Sequence, residues 1–175
     1  MKIRFSSKDL HFVDPNFKNK RSRYMVQSVL AAIALFIVLF VGENISHGAI
    51  IAGIAGTTAL IFFAPTSYAA HPRRVIGGHT LAIILATISS LIFEIFFAPT
   101  SSVSIFWVYF YSSISLGFLV FFMAILNCEH APSAGCLLGL TIGGVNLDYV
   151  AFIFLSAVIL SVIRAILLRW IRNLV

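Results

Sequence analysis

Residues 48–98 read GAIIAGIAGTTALIFFAPTSYAAHPRRVIGGHTLAIILATISSLIFEIFFA, and this stretch decides the fold. Two long apolar runs, Gly48–Ala64 and Thr80–Ala98, flank a loop at 66–78 that carries His71, Pro72, Arg73 and Arg74. Each run stops at a proline, Pro65 and Pro99, which cannot continue a helix. A hydrocarbon core of about 30 Å requires roughly 20 apolar residues of a spanning helix. Because the apolar residues are continuous and do not alternate, a membrane barrel does not fit.

Outward from this core the same pattern recurs. Tyr24–Val41, Ile105–Leu126 and Tyr149–Leu168 are further runs of spanning length, and Ser133–Gly144 is a Gly-rich run that reaches only about 18 Å as a helix. The chain of 175 residues is 60% hydrophobic and 10% charged, with a mean hydropathy of +1.02. A water-soluble domain could not hide that much apolar surface. The expected fold is therefore an all-α integral membrane bundle of six helices. A basic arm at 1–23 precedes the transmembrane domain at 24–168, and a short basic tail at 169–175 follows it.

The net charge of +6 does not signal nucleic acid, because seven of the twelve basic residues precede residue 24: Lys2, Arg4, Lys8, Lys18, Lys20, Arg21 and Arg23. Such an arm orients spans and meets anionic lipid headgroups. It is too long and too acidic for a cleaved signal peptide. With six crossings, all twelve basic residues fall on the cytoplasmic side, which places both termini inside at the inner (plasma) membrane. With re-entrant second and fifth runs, ten of twelve still comply, so six crossings are expected. The fifth is then short, tilted, or bounded by non-helical backbone lining a cavity.

Three crossings per half mean that related halves must be inverted repeats. The second run carries Gly48, Ala52 and Gly56, and the fifth carries Gly135, Gly139 and Gly143, at a common spacing of four. Both spacings predict small-residue faces for close helix packing. The hexapeptide Phe62–Ser67 recurs as Phe96–Ser101 and reads as a helix terminator, not as a helical repeat.

Few polar residues sit at membrane depth. Arg73 and Arg74 precede the third run, with His79 at its start, and a helix N-terminus beside arginine suits an anion. His130 precedes Pro132 and Ser133 at the start of the fifth run, with Ser133 a good N-cap, so a second N-terminus faces the same side. Glu94 near the end of the third run reads equally as an interfacial or a buried acid, and a buried one needs a partner. Glu129 and His130 are adjacent and should point apart, which makes catalysis a poor expectation. Cys128, His130 and Cys136 lack a further convergent metal ligand, and two cysteines make no disulfide framework. Asn146 and Asp148 read as caps of the sixth run. No phosphate loop, nucleophile elbow or metalloprotease helix is present.

The stretch Ala64, Pro65, Thr66, Ser67, then Ala70–His79, resembles the first signature of the HPP family of integral membrane proteins. His130–Gly135, ending in Ile142, Gly143 and Gly144, resembles the stretch that names that family, with Ala131 where a proline is usual. The resemblance covers about 24–168 and implies a compact helical membrane domain. Plastid and cyanobacterial members are associated with nitrite transport. The expected function is thus a transporter or channel for a small inorganic anion, nitrite first, with Arg73, Arg74, His79, His130 and Ser133 at the substrate and no cofactor. The rivals are transport of another solute or a cation through Glu94 or Asp148, a membrane enzyme using Cys128, Glu129 and His130, and a structural or assembly subunit. So small a bundle suits a homo-oligomer.

Overall fold

The computed structural model describes residues 17–42, 47–97 and 104–174. These form six α-helices: α1 (Phe17–Val41), α2 (Gly48–Phe63), α3 (Pro72–Phe97), α4 (Ile105–Ile125), α5 (Ser133–Gly143) and α6 (Leu147–Leu167), with a 3-10 turn at Tyr68–Ala70. Among the described residues there is no strand, and α1, α3, α4 and α6 are long and apolar enough to cross a membrane. At 1.5 Å per residue, α2 reaches about 24 Å and α5 about 17 Å. Both short helices pack in the interior, and α2 and α5 are each other's closest neighbours.

Two helices begin earlier than the apolar runs indicate. Helix α1 starts at Phe17, so Lys18–Arg23 continue the span as helix, as straight-chain cations readily do. Helix α3 starts at Pro72, which moves Arg73, Arg74, Gly77 and Gly78 out of the expected loop and into the first two turns. Proline fits this first helical position because its missing N–H has no intrahelical partner there anyway. At the start of α6, Asn146 accepts a hydrogen bond from the Tyr149 N–H at 2.8 Å, the expected capping role.

One end of the bundle gathers the start of α1, the end of α2, the start of α3 and the ends of α4 and α6. The residues after α6 fold back across it. There Tyr24 donates to the Leu174 carbonyl (2.9 Å), and Leu174 N–H donates to the Phe63 carbonyl (3.0 Å). Buried Gln27 donates to the carbonyls of Phe62 (2.6 Å) and Arg172 (2.9 Å) and accepts from Arg172 N–H. Carbonyls at the end of α2 that lack helical partners are satisfied in this way. Every Lys and Arg between residues 19 and 174 lies in the segments that meet at this end, called the basic end below.

The close approach of α2 and α5 rests on glycine, on the expected 135/139/143 stripe of α5 but on a face of α2 next to the expected one. Gly48 is exposed in open space and Ala52 is exposed, so neither packs against α5. The crossing runs instead through Gly53 and Gly135: a Cβ on Gly135 would lie 3.0 Å from the Gly53 Cα, and one on Gly53 would lie 2.9 Å from the Pro132 carbonyl. Each residue turns about 100° around a helix, so the 48/52/56 and 49/53/57 stripes are adjacent, and a one-residue change of face separates the reading from the structure. Gly56 is half-buried beside the Pro132 ring, Gly139 lies against Ile50, and Gly143 against His47. The order Gly53 to Cys136, Ile50 to Gly139 and His47 to Gly143 makes α2 and α5 antiparallel.

Candidate functional site

At the basic end, the link from α2 to α3 and the end of α6 border an open cavity of about 350 Å³ lined by Thr66, Ser67, Tyr68, His71, Arg73, Arg74 and Arg164. The three arginines differ in their surroundings. Arg73 is exposed, while its neighbour Arg74 is turned inward and 7% exposed. Arg74 donates to the Glu129 carboxylate and to Asn127 Oδ1 (2.9 Å), with its guanidinium over the Tyr68 ring. The Tyr68 hydroxyl donates to the same Asn127 oxygen. Asn127 ends α4 with a φ of 55°, a conformation that asparagine tolerates better than most residues.

Arg164 sits in the last turn of α6, where the helix dipole favours a cation, and is 7% exposed. Its Nε and Nη2 both donate to the Pro65 carbonyl, at 2.9 and 2.6 Å. Among the described residues no carboxylate pairs with it. Ser67 Oγ, on the same wall, is buried without a hydrogen-bond partner. The cavity thus offers a buried cation lacking a counter-ion, an unpaired hydroxyl and the exposed Arg73.

Beneath the Tyr68–Ala70 turn lies a second polar cluster. The turn's Ala69 carbonyl accepts from His130 Nδ1 at 2.9 Å, and His130 Nε2 lies 2.9 Å from Thr57 Oγ1. His79 Nε2 approaches the same hydroxyl at 3.4 Å, and its Nδ1 donates to the Val75 carbonyl at 2.8 Å. The three side chains come from α2, α3 and the link between α4 and α5, and all are fully buried. His79 is seven residues into α3, about 10 Å below the start of that helix. The 127–132 link reaches this depth because Gly77 and Gly78 clear its path: a Cβ on Gly78 would lie 2.7 Å from the His130 Cβ.

The sequence-based site is therefore split between two levels. Arg73 and Arg74 reach the cavity, and His79 and His130 form the buried cluster. Ser133 touches neither level as an N-cap; Pro132 occupies that position, and the buried Ser133 hydroxyl donates to the His130 carbonyl at 2.8 Å, securing the link. Glu94 is exposed near the end of α3, so it is not a buried acid. Glu129 and His130 point apart as expected, one to Arg74 and one to Thr57. Burial, and then the charge of Glu129, push the Cys128 thiol up, so it stays protonated rather than nucleophilic. Among the described residues no three His, Cys, Asp or Glu side chains converge to hold a metal. Sequence reasoning missed Thr57, Ser67, Tyr68, Asn127 and the site role of Arg164. Only Arg164 carried a signal, as a charge inside an otherwise apolar run.

A family model described as HPP, transmembrane region, matches residues 17–174, which is nearly the whole chain. No curated protein and no solved structure matches it.

Proposed function

Because the chain belongs to the family defined by the HPP transmembrane region, we propose that it is a membrane transporter or channel for a small inorganic anion, with nitrite the first to test. Arg164 carries this reading. A guanidinium that is little exposed, and that among the described residues has only a carbonyl for a partner, carries an uncompensated charge, and an anion in the adjoining cavity completes it. Ser67 Oγ supplies a donor on the same wall, and Arg73 at the exposed rim attracts anions from solution. The reading assigns no covalent step and no cofactor.

The basic end faces the cytoplasm of the inner (plasma) membrane in this account, because basic residues of short loops are retained there. The halves α1–α3 and α4–α6 are inverted repeats. In support, exchanging the halves maps the close pair α1 with α2 onto α4 with α5, and α3 with α5 onto α6 with α2. The self-paired helices α2 and α5 run antiparallel.

Purified protein in liposomes should pass nitrite, nitrate or chloride faster than empty liposomes, while sodium and potassium stay at the empty-liposome rate. Cation flux without anion flux, from protein shown to be folded, overturns the reading.

A further inference from the structure

We propose that Thr57, His79 and His130 form a binding site for a single proton, which is taken up together with the anion. This deepens the anion reading above and rests on it for the anion's entry. Both Nδ1 atoms are committed as donors, because the Val75 and Ala69 carbonyls can only accept. In the neutral rings both Nε2 atoms are then acceptors, and both face Thr57 Oγ1. That hydroxyl has one hydrogen, and the Gly53 carbonyl at 3.1 Å is a third claimant. One buried ring nitrogen is therefore left without a donor, an arrangement that costs free energy.

One added proton repairs it. On either ring the new Nε2–H donates to Thr57 Oγ1, whose own hydrogen turns to the other Nε2. A second proton would set two imidazolium rings at a centroid separation of 5.0 Å, so the capacity is one. The surrounding groups leave that charge unmatched. Arg74 of α3 and Glu129 of the link pair with each other, and His71, Arg73 and Arg164 stand across the turn at the cavity. Cys128 and Cys136 are buried thiols on the link and α5, and the α2 wall supplies Thr57. A lone buried cation is disfavoured, so the proton is held better when an anion occupies the arginine-lined cavity across the Tyr68–Ala70 turn. By linkage each then tightens the other.

The test is a titration of the full chain in lipid nanodiscs, followed by the ring-nitrogen NMR signals of ¹⁵N-labelled histidine, with and without nitrate as a non-titrating anion. The expected result is one shared single-proton step for His79 and His130, moved up by about one pH unit by saturating nitrate, a typical coupling of about tenfold. Thr57→Val should uncouple the two rings, and Thr57→Ser should restore the shared step, with folding checked by circular dichroism. Two independent steps, no step in folded protein, or a step indifferent to both nitrate and Thr57→Val would overturn the proposal. Absence of anion flux in liposomes with the shared step intact would instead sink the transport reading.

Discussion

Arg73 and Arg74 are adjacent in sequence yet have opposite environments, because consecutive helical residues point about 100° apart. Arg73 at the rim is exposed, so Arg73→Ala should raise the half-saturating nitrite concentration several-fold in liposome flux while leaving the melting temperature within a degree or two. Arg74→Ala removes the group that holds Glu129, Asn127 and the Tyr68 ring together, and should lower stability in detergent by about 1–3 kcal/mol. The sequence made both arginines legible as a cluster, but not which one turns inward. Once α3 is known to start at Pro72, helical phase separates them. The meeting of Thr57 with His79 and His130 had no local signature at all, since three separate segments supply it.

At the scale of elements, boundaries set by chemistry were readable. Pro65 ends α2, Asn146 caps α6, and the short α5 follows from its small glycine-rich run. The start of α3 was hidden because proline reads as a breaker until the next turn shows it to be the first helical residue. The packing face of α2 was hidden because small residues occupy two neighbouring stripes, and only the partner helix selects one. Substitution separates them. Gly53→Val should destabilise the bundle by about 3 kcal/mol or more, since backbone lies where the new side chain must go, whereas Gly48→Val should be near neutral in the same unfolding assay. Equal effects would place the α2–α5 crossing elsewhere.

For the molecule as a whole, the continuous apolar runs dictated a helical membrane protein, and the placement of Lys and Arg anticipated that α1 starts and α6 ends at one end. What the sequence did not show is how that end is closed. Gln27, buried among Phe62 and Arg172, ties α1 to α2 and to the returning C-terminal segment. Gln27→Leu leaves those backbone groups unsatisfied and should cost about 1–3 kcal/mol in thermal unfolding. Substituted cysteines report the topology, because native Cys128 and Cys136 are buried. Arg73→Cys and Arg172→Cys should react with an impermeant reagent from the cytoplasmic side and Asp148→Cys from the opposite side.

On the proposed function, an anion crossing the membrane binds in the arginine-lined cavity at the basic end. Nitrite uptake into liposomes, comparing the native chain with folded Arg164→Gln, tests it most directly. Uptake should be saturable and fall at least tenfold in the variant, the loss expected when a charge-assisted contact of about 1.5–3 kcal/mol is removed. Uptake that is equally fast in both proteins, or no faster than in empty liposomes, would contradict it.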